Sequence, residues 1–465
     1  MTGSDCLPNG SAVTRDERPP APDAQSGRGR LLLWVRKGGF AVADQGLVSG
    51  SNFVISILLA RWLDSDRYGA FASAFAMFLL LSLLFQSLVL EPMAVFGGGV
   101  YHNRSRGYLQ SLLRIQLVIS LTIMLALGSA AALAQWLHAP GGLPGALAGI
   151  AIAAPCILTF WLARRACYLR GGSAQAAAGA FFYCLCVMGG LWILREANRL
   201  STFSAFAVVA AAALLASVLL LLLVRGSLTH ELPAPRIGET WSRHWGYGRW
   251  ALGGALASWV SAYIYFPLLV NFAGLTSAAD LKALTNLAAP LTQIQAAFSM
   301  LLIPYAAGVH KRGGQSMVTS MAKWLTWASL AVGVAYWGSI VLAPRFVLNI
   351  FYSGKYLGVA GLLPAVAIGS ILWMGTLGCS VALRAIELPR KIFTAYGISA
   401  ILSLAVGVPL TWKFGLQGAV WGTNISDGAA FVLLLLILKW TTTSASASAV
   451  KRRAAWSFER PADLT

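Results

Sequence analysis

The chain has 465 residues, of which 57% are hydrophobic and only 11% charged, and its mean hydropathy is +0.69. That composition excludes an ordinary soluble domain and fits a polytopic membrane protein. A net charge of +19 on a soluble chain would suggest a nucleic-acid partner; here the placement of Lys and Arg follows membrane topology, so no nucleic acid is expected.

Residues 1–37 are polar, rich in Pro, Gly, Ser and Arg, and lack the apolar stretch of a cleavable signal, so they read as a disordered cytoplasmic tail. Apolar runs of spanning length follow near 40–62, 68–90, 112–136, 143–164, 174–194, 201–224, 250–272, 281–306, 320–343, 359–383, 392–412 and 417–438. Twelve crossings place both termini on one side. With the N-terminus inside, successive inside segments hold 6, 3, 3, 4, 3, 3 and 5 Lys plus Arg, and successive outside segments 2, 0, 2, 1, 2 and 1, which uses all 35. A wrong helix count would scramble this alternation, so it supports twelve helices with both termini in the cytoplasm. The longest inside connection divides the chain into an N-terminal six-helix bundle (38–224), a cytoplasmic linker (225–249), a C-terminal six-helix bundle (250–440) and a cytoplasmic tail (441–465). The expected fold class is therefore an all-α polytopic membrane protein of two six-helix bundles.

Several helices carry polar stripes that lipid would not tolerate. On the first, Gln45, Ser49, Asn52 and Ser56 are spaced 4, 3 and 4, which puts them on one face. Helix packing through small polar residues is one reading, and a hydrated cavity is the other. The eighth helix favours the cavity, because Lys282, Asn286 and Gln293 are spaced 4 and 7 with Pro290 among them. Ser261, Tyr263, Tyr265 and Asn271 on the seventh and Ser82 and Gln86 on the second agree. Charges near helix ends are expensive unless they snorkel or pair. Arg164, Arg165 and Arg384 at cytoplasmic ends are expected to meet lipid headgroups, whereas Arg61 and Lys282 lie on the outer side, where basic residues are scarce. Asp427 is an isolated acid in the twelfth helix.

Catalysis finds no support. The phosphate-binding GxxxxGK[ST] loop is missing, the five His are scattered, and the six Cys form no CxxC pair and read as packing thiols. The outer loops are too short for a catalytic domain. Neither a cofactor nor a metal is expected, and transport by alternating access remains.

The segments "ARWLDSDRYGAFASAFAMFLLL" (60–81), "LVLEPMAVFG" (88–97), "IFYSGKYLGVAGLLP" (350–364) and "FGLQGAVWGTNISDGAAF" (414–431) resemble the polysaccharide transporter family. These are the Wzx-type flippases of the multidrug/oligosaccharidyl-lipid/polysaccharide superfamily. The resemblance implies a V-shaped pair of bundles around a cationic cavity in the bacterial inner membrane. It implies a cargo of undecaprenyl-pyrophosphate-linked oligosaccharide for O-antigen, capsule or exopolysaccharide, and as partners membrane lipids, a polysaccharide polymerase and a chain-length regulator. On that footing Arg61 and Lys282 are expected to contact the headgroup, and Asn52, Gln86, Asn286 and Gln293 to contact sugar or water. Asp44 is the candidate for proton or sodium coupling. A drug/cation antiporter of the multidrug (MATE) branch is the rival reading; it would want an acidic cavity.

Overall fold

A computed structural model describes residues 26–458 apart from 141, 170, 171, 227 and 229–232. Fifteen α-helices make up the described chain. They are α1 (Ser26–Trp62), α2 (Ser65–Phe85), α3 (Glu91–Gly98), α4 (Ser105–Trp136), α5 (Leu143–Tyr168), α6 (Ser173–Glu196), α7 (Thr202–Arg225), α8 (Ile237–Tyr263), α9 (Tyr265–Phe272), α10 (Leu275–Asn286), α11 (Ala289–Leu342), α12 (Pro344–Tyr352), α13 (Leu363–Ala385), α14 (Pro389–Leu402) and α15 (Val408–Phe458). Two π turns, Gln86–Leu90 and Ser403–Gly407, lie between α2 and α3 and between α14 and α15.

Among the described residues nine continuous helical stretches, some joining two of these helices through a π turn, are long and apolar enough to span a bilayer, and two bent pairs, Ala251–Tyr263 with Tyr265–Phe272 and Leu275–Asn286 with Ala289–His310, raise the number to eleven. The twelfth comes from the 52-residue segment Arg390–Thr441, which doubles back at Gly415. There φ is +54°, and a Cβ on Gly418 would fall 1.9 Å from the Leu410 carbonyl oxygen, a proximity no straight helix allows. Gly314 (φ +66°) breaks the 54-residue α11 in the same way. The polypeptide is thus an all-helical, multi-pass membrane protein.

Both bends have a covalent cause. A proline ring clashes with the carbonyl four residues earlier, and Pro267 and Pro290 stand four residues after Tyr263 and Asn286, the last residues of α8 and α10. The unbroken spans expected at 250–272 and 281–306 are therefore each two helices, bent by 41° and 49°. Helix α15 runs on to Phe458, inside the tail expected from 441, and two further boundaries differ. Helix α1 begins at Ser26, inside the expected tail, and α8 begins at Ile237, inside the expected linker; residues 1–25 and 459–465 lie outside the described residues.

In the N-terminal half α5 packs on α4 and α7, and α6 on α1 and α7, through small residues such as Ala146, Ala153, Ala205, Ala212 and Ala216 that let backbones approach closely. In the C-terminal half α13 packs between α11 and α15, and α14 lies against α8 and α15. We call "outer" the end where α1 turns into α2, following the Lys and Arg distribution. One apolar core runs through the N-terminal half and continues into the outer parts of the C-terminal half, taking in Leu275, Leu284, Tyr352, Tyr356 and Leu363. The inner part of the C-terminal half has a separate core around Val318, Ala322, Leu383, Ile392 and Leu434. The larger core therefore joins the halves at the outer end, and α8, with Trp259 buried against α2, continues the contact inward.

Candidate functional site

The seam between the halves starts from a glycine. Helix α10 lies against α2 so closely that a Cβ on Gly69 would sit 1.9 Å from the Leu275 carbonyl oxygen. This approach lets the end of α10 reach α1 and α2 with a single side chain. The Asn286 amide nitrogen donates to Ser56 Oγ (2.8 Å) and to the Tyr68 hydroxyl (2.9 Å); its Oδ1 accepts from Ser56 Oγ at 3.1 Å, and Ser56 Oγ and the Tyr68 hydroxyl are 3.0 Å apart. All three residues are buried. Polar groups so buried are costly when unpaired, so this cluster defines a register between the halves.

The outer rim adds further crossings. Arg61 Nε donates to Ser353 Oγ (2.5 Å), Lys355 Nζ to the Leu63 carbonyl (2.5 Å), and Thr276 Oγ1 to Asp66 (2.6 Å). Ser353 (φ +53°) and Gly354 (φ +82°) form the left-handed corner that aims the α12 hairpin at α1.

One turn before Asn286, Lys282 places Nζ 5.1 Å from the centre of the Phe75 ring on α2. Among the described residues it has no ion-pair partner, so the aromatic face is what attracts this cation. Phe75 belongs to a column on α2, in which Tyr68, Phe71, Phe75 and Phe78 follow one another at 5.6–6.1 Å between ring centres.

Toward the inner end the character changes. The outer part of α1 is buried at Ile55, Ser56, Leu59 and Ala60, while Val42, Gln45, Gly46 and Gly50 further in are exposed. Gln45 donates to Ser49 along the helix at 3.2 Å. Beyond the second bend, Thr292 and Gln293 on α11 are exposed too. Exposed amides at membrane depth require water rather than hydrocarbon, because lipid offers them no partner.

The site residues named from the sequence thus separate into groups. Asn286 and Lys282 are brought to the seam with Ser56, Tyr68 and Phe75. Asn52 is half-buried one helical turn inward of Ser56, and Gln293 is exposed; neither has a side-chain hydrogen bond among the described residues. The bend at residues 287–288 interrupts the single helical stripe expected for Lys282, Asn286 and Gln293. Gln86 opens the π turn beside Glu91, which lies within electrostatic reach of Arg165 and of Arg384 in the opposite half. Arg61 is exposed on the outer rim rather than within the seam.

Asp44 is not a free acid. Arg164 grips it through both carboxylate oxygens, at 2.9 and 2.7 Å, and the Tyr168 hydroxyl donates to it at 2.7 Å; both carboxylate and guanidinium are nearly buried. Arg164 therefore pairs inside the N-terminal half instead of meeting lipid headgroups. Neither partner announces the other over 120 residues of sequence. Tyr68 and His244 were also missed by sequence reasoning, since an aromatic hydroxyl in an apolar run and a histidine in a tryptophan-rich stretch carry no local signal. His244 Nδ1 donates to the Leu88 carbonyl (3.0 Å), so in the neutral ring Nε2 accepts from the Tyr108 hydroxyl (2.7 Å). Burial pushes its pKa below the ordinary 6.5, and the bond to Leu88 offsets part of that push.

No family model matches the sequence. No curated protein matches it either. Solved structures do match in fold. A multidrug resistance MATE family transporter of the MOP superfamily, in an inward-facing conformation, superimposes with a TM-score of 0.74 at 12% identity, over 88% of this chain and 99% of that one. The lipid II flippase MurJ, in an inward closed conformation, gives 0.65 at 12%, over 88% and 87%. The MATE multidrug transporter DinF-BH, solved as a complex, gives 0.64 at 13%, over 92% and 98%. The fold is thus one shared by multidrug transporters and a lipid flippase.

Proposed function

We propose that the protein is a transporter of the alternating-access type that moves a lipid-linked, anionic oligosaccharide across the bacterial cytoplasmic membrane for surface polysaccharide assembly. The observation that carries this reading is the asymmetry of the seam: the Asn286 cluster and a continuous apolar core join the halves at the outer end, while toward the inner end Gln45 and Gln293 are exposed and α8 keeps contact with α2 and α4. Such a cleft admits a polar headgroup from the cytoplasm, and the attached lipid tail stays in hydrocarbon, where it costs nothing. Lys282 stands near the closed end, where a pyrophosphate would find its counter-charge and sugar hydroxyls would find Asn52, Gln293 and the aromatic column. Gln86 lies lower on the same path. Carrying negative charge out of an inside-negative cell releases about 2.3 kcal/mol per charge per 100 mV, so no nucleotide is needed. The membrane potential suffices in principle, and proton or sodium exchange remains compatible.

A MATE-type drug or cation antiporter is the second reading, favoured by the several MATE transporters among the structural matches. It would want a free acid to hold its cation. Asp44, the acid the sequence offers in the first helix, is already neutralised by Arg164. That leaves Asp427 on α15, without an ion pair among the described residues, as the acid such an antiporter would use.

Deleting the gene in its host and assaying which leaflet holds undecaprenyl-linked oligosaccharide tests the proposal. We expect accumulation on the cytoplasmic leaflet with loss of surface polymer, restored by the wild-type gene and at least tenfold less well by Lys282→Gln. Normal sidedness and polymer, with hypersensitivity to cationic dyes, would replace this reading with the antiporter.

A further inference from the structure

On the outer rim, α1 and the turn between α6 and α7 border an open cavity of about 540 Å³ lined by Arg61, Trp62, Arg195, Glu196, Asn198 and Leu200. Two arginines reach it, and among the described residues neither has an ion-pair partner. Arg195 is held by stacking: its guanidinium lies 4.8 Å from the centre of the Trp62 ring and 5.5 Å from that of Trp192, and the two indoles meet edge to face at 6.3 Å. A guanidinium has five N–H donors, so packing against two indoles set edge to face still leaves some of them for a ligand. Arg61 is held by its Nε bond to Ser353, so its two terminal nitrogens remain for a ligand. The turn is built to present the site, since Asn198 takes a left-handed conformation (φ +54°) just past the end of α6.

The surroundings say what kind of anion fits. Phe181, Leu185 and Trp192 are exposed on α6 at spacings of 4 and 7, a lipid-facing stripe that leads up the helix to Arg195. Indoles at the end of such a stripe mark the bilayer–water boundary. A fork of two guanidinium edges at that depth matches phosphate oxygens, which Arg binds in bidentate fashion. We propose that this cavity is a binding site for the phosphate of a lipid headgroup in the outer leaflet, with the acyl or prenyl chain lying along the Phe181–Trp192 stripe. The site stands apart from whatever cargo passes between the halves. It also touches the latch, because Arg61 is one of the residues that bind the α12 hairpin to α1. A lipid held there favours the outer-closed form.

Native mass spectrometry of the full-length protein in detergent tests this with two probes, dioleoyl-phosphatidylglycerol and farnesyl pyrophosphate, and with phosphatidylcholine as the neutral reference. We expect the wild type to retain at least one anionic probe about tenfold better than phosphatidylcholine. The double variant Arg61→Gln/Arg195→Gln should lose that preference, while Arg345→Gln, an exposed outer arginine away from the cavity, should keep it. Preference for phosphatidylglycerol would make the ligand a bilayer lipid; preference for farnesyl pyrophosphate would make it a polyprenyl carrier. Arg195→Lys keeps the charge but loses the fork and the stacking, and serves if the double variant fails to fold; it should weaken retention several-fold. Undiminished retention of both probes in a folded variant, or no preference over phosphatidylcholine in the wild type, overturns the proposal.

Discussion

The buried bonds that cross between the halves and the strongest bond deep in the N-terminal half differ in kind. The crossings of Arg61, Lys355 and Asp66 do use charged groups, but on the rim, where water can replace the partner. Across the seam Asn286, Ser56 and Tyr68 are all neutral, and each such bond contributes on the order of 1 kcal/mol net. Inside the half, Asp44 and Arg164 form a bidentate charged pair with a third bond from Tyr168. The difference follows from what each place must do. A seam that opens must exchange its partners for water or cargo without stranding a charge, and neutral amides and hydroxyls do that at low cost. A bundle that moves as one body can keep a buried ion pair, because the pair is never broken while the body moves.

Breaking the ion pair should have the largest effect. Asp44→Asn leaves the Arg164 guanidinium nearly buried and unpaired, a change that typically costs about 3–5 kcal/mol. We expect a large drop in thermal stability of the purified protein, mostly recovered when Arg164→Met is added; if Asp44→Asn instead leaves stability intact and abolishes only transport, the pair is functional rather than structural. Next comes Gly69→Ala, which drives a methyl group into the Leu275 carbonyl. Overpacking of this kind costs about 1–3 kcal/mol, here concentrated at the seam. A cysteine at position 56 should then react with a membrane-impermeant thiol reagent from outside, whereas it stays protected when Gly69 is kept.

Asn286→Ala sharpens the comparison because it removes only the neutral cluster. We expect overall stability to change by no more than about 1–2 kcal/mol, but the equilibrium to move toward the outer-open form, read as faster labelling of the same cysteine. Smallest is the pH effect of His244. Its folded pKa lies below the unfolded value near 6.5, so the unfolded chain binds the additional proton first as pH falls. The stabilisation is complete above pH 6.5 and declines below it. Melting temperatures between pH 8 and 5.5 should fall more steeply for the wild type than for His244→Gln, and parallel curves would remove His244 as the cause.

What the sequence made legible follows from which signals are local. Hydropathy is additive over a window, and the Lys and Arg count is a property of each connection, so twelve crossings were readable although α11 and α15 each run through two of them. Pro267 and Pro290 also marked the two bends, four residues after the carbonyls they displace; a span judged by apolar content alone passes over them. Asn286 and Lys282 were found because helical spacing groups polar residues on one face. The pairing of Asp44 with Arg164, and of Asn286 with Tyr68, was not found, because tertiary contacts over 120 and 218 residues leave no spacing to read. Arg61 shows the limit most clearly: its charge and its depth are readable from the sequence, but only the folded α6–α7 turn shows that it shares a rim cavity with Arg195.

The π turn at Gln86–Leu90 has a mechanical consequence. A π turn holds one residue too many for the ordinary ladder, so some carbonyls there have no backbone donor of their own. Leu88 offers its oxygen to His244 from α8, and Leu90 offers its oxygen to Arg165 on α5 at 3.4 Å. The helix is thus already released from itself at this point and fastened instead to a neighbour on either side. It is placed to act as a pivot with two tethers: a swing of the rest of α2 would find fewer of its own bonds to break here, and a slackened tether should then show as altered timing of the swing before any loss of fold.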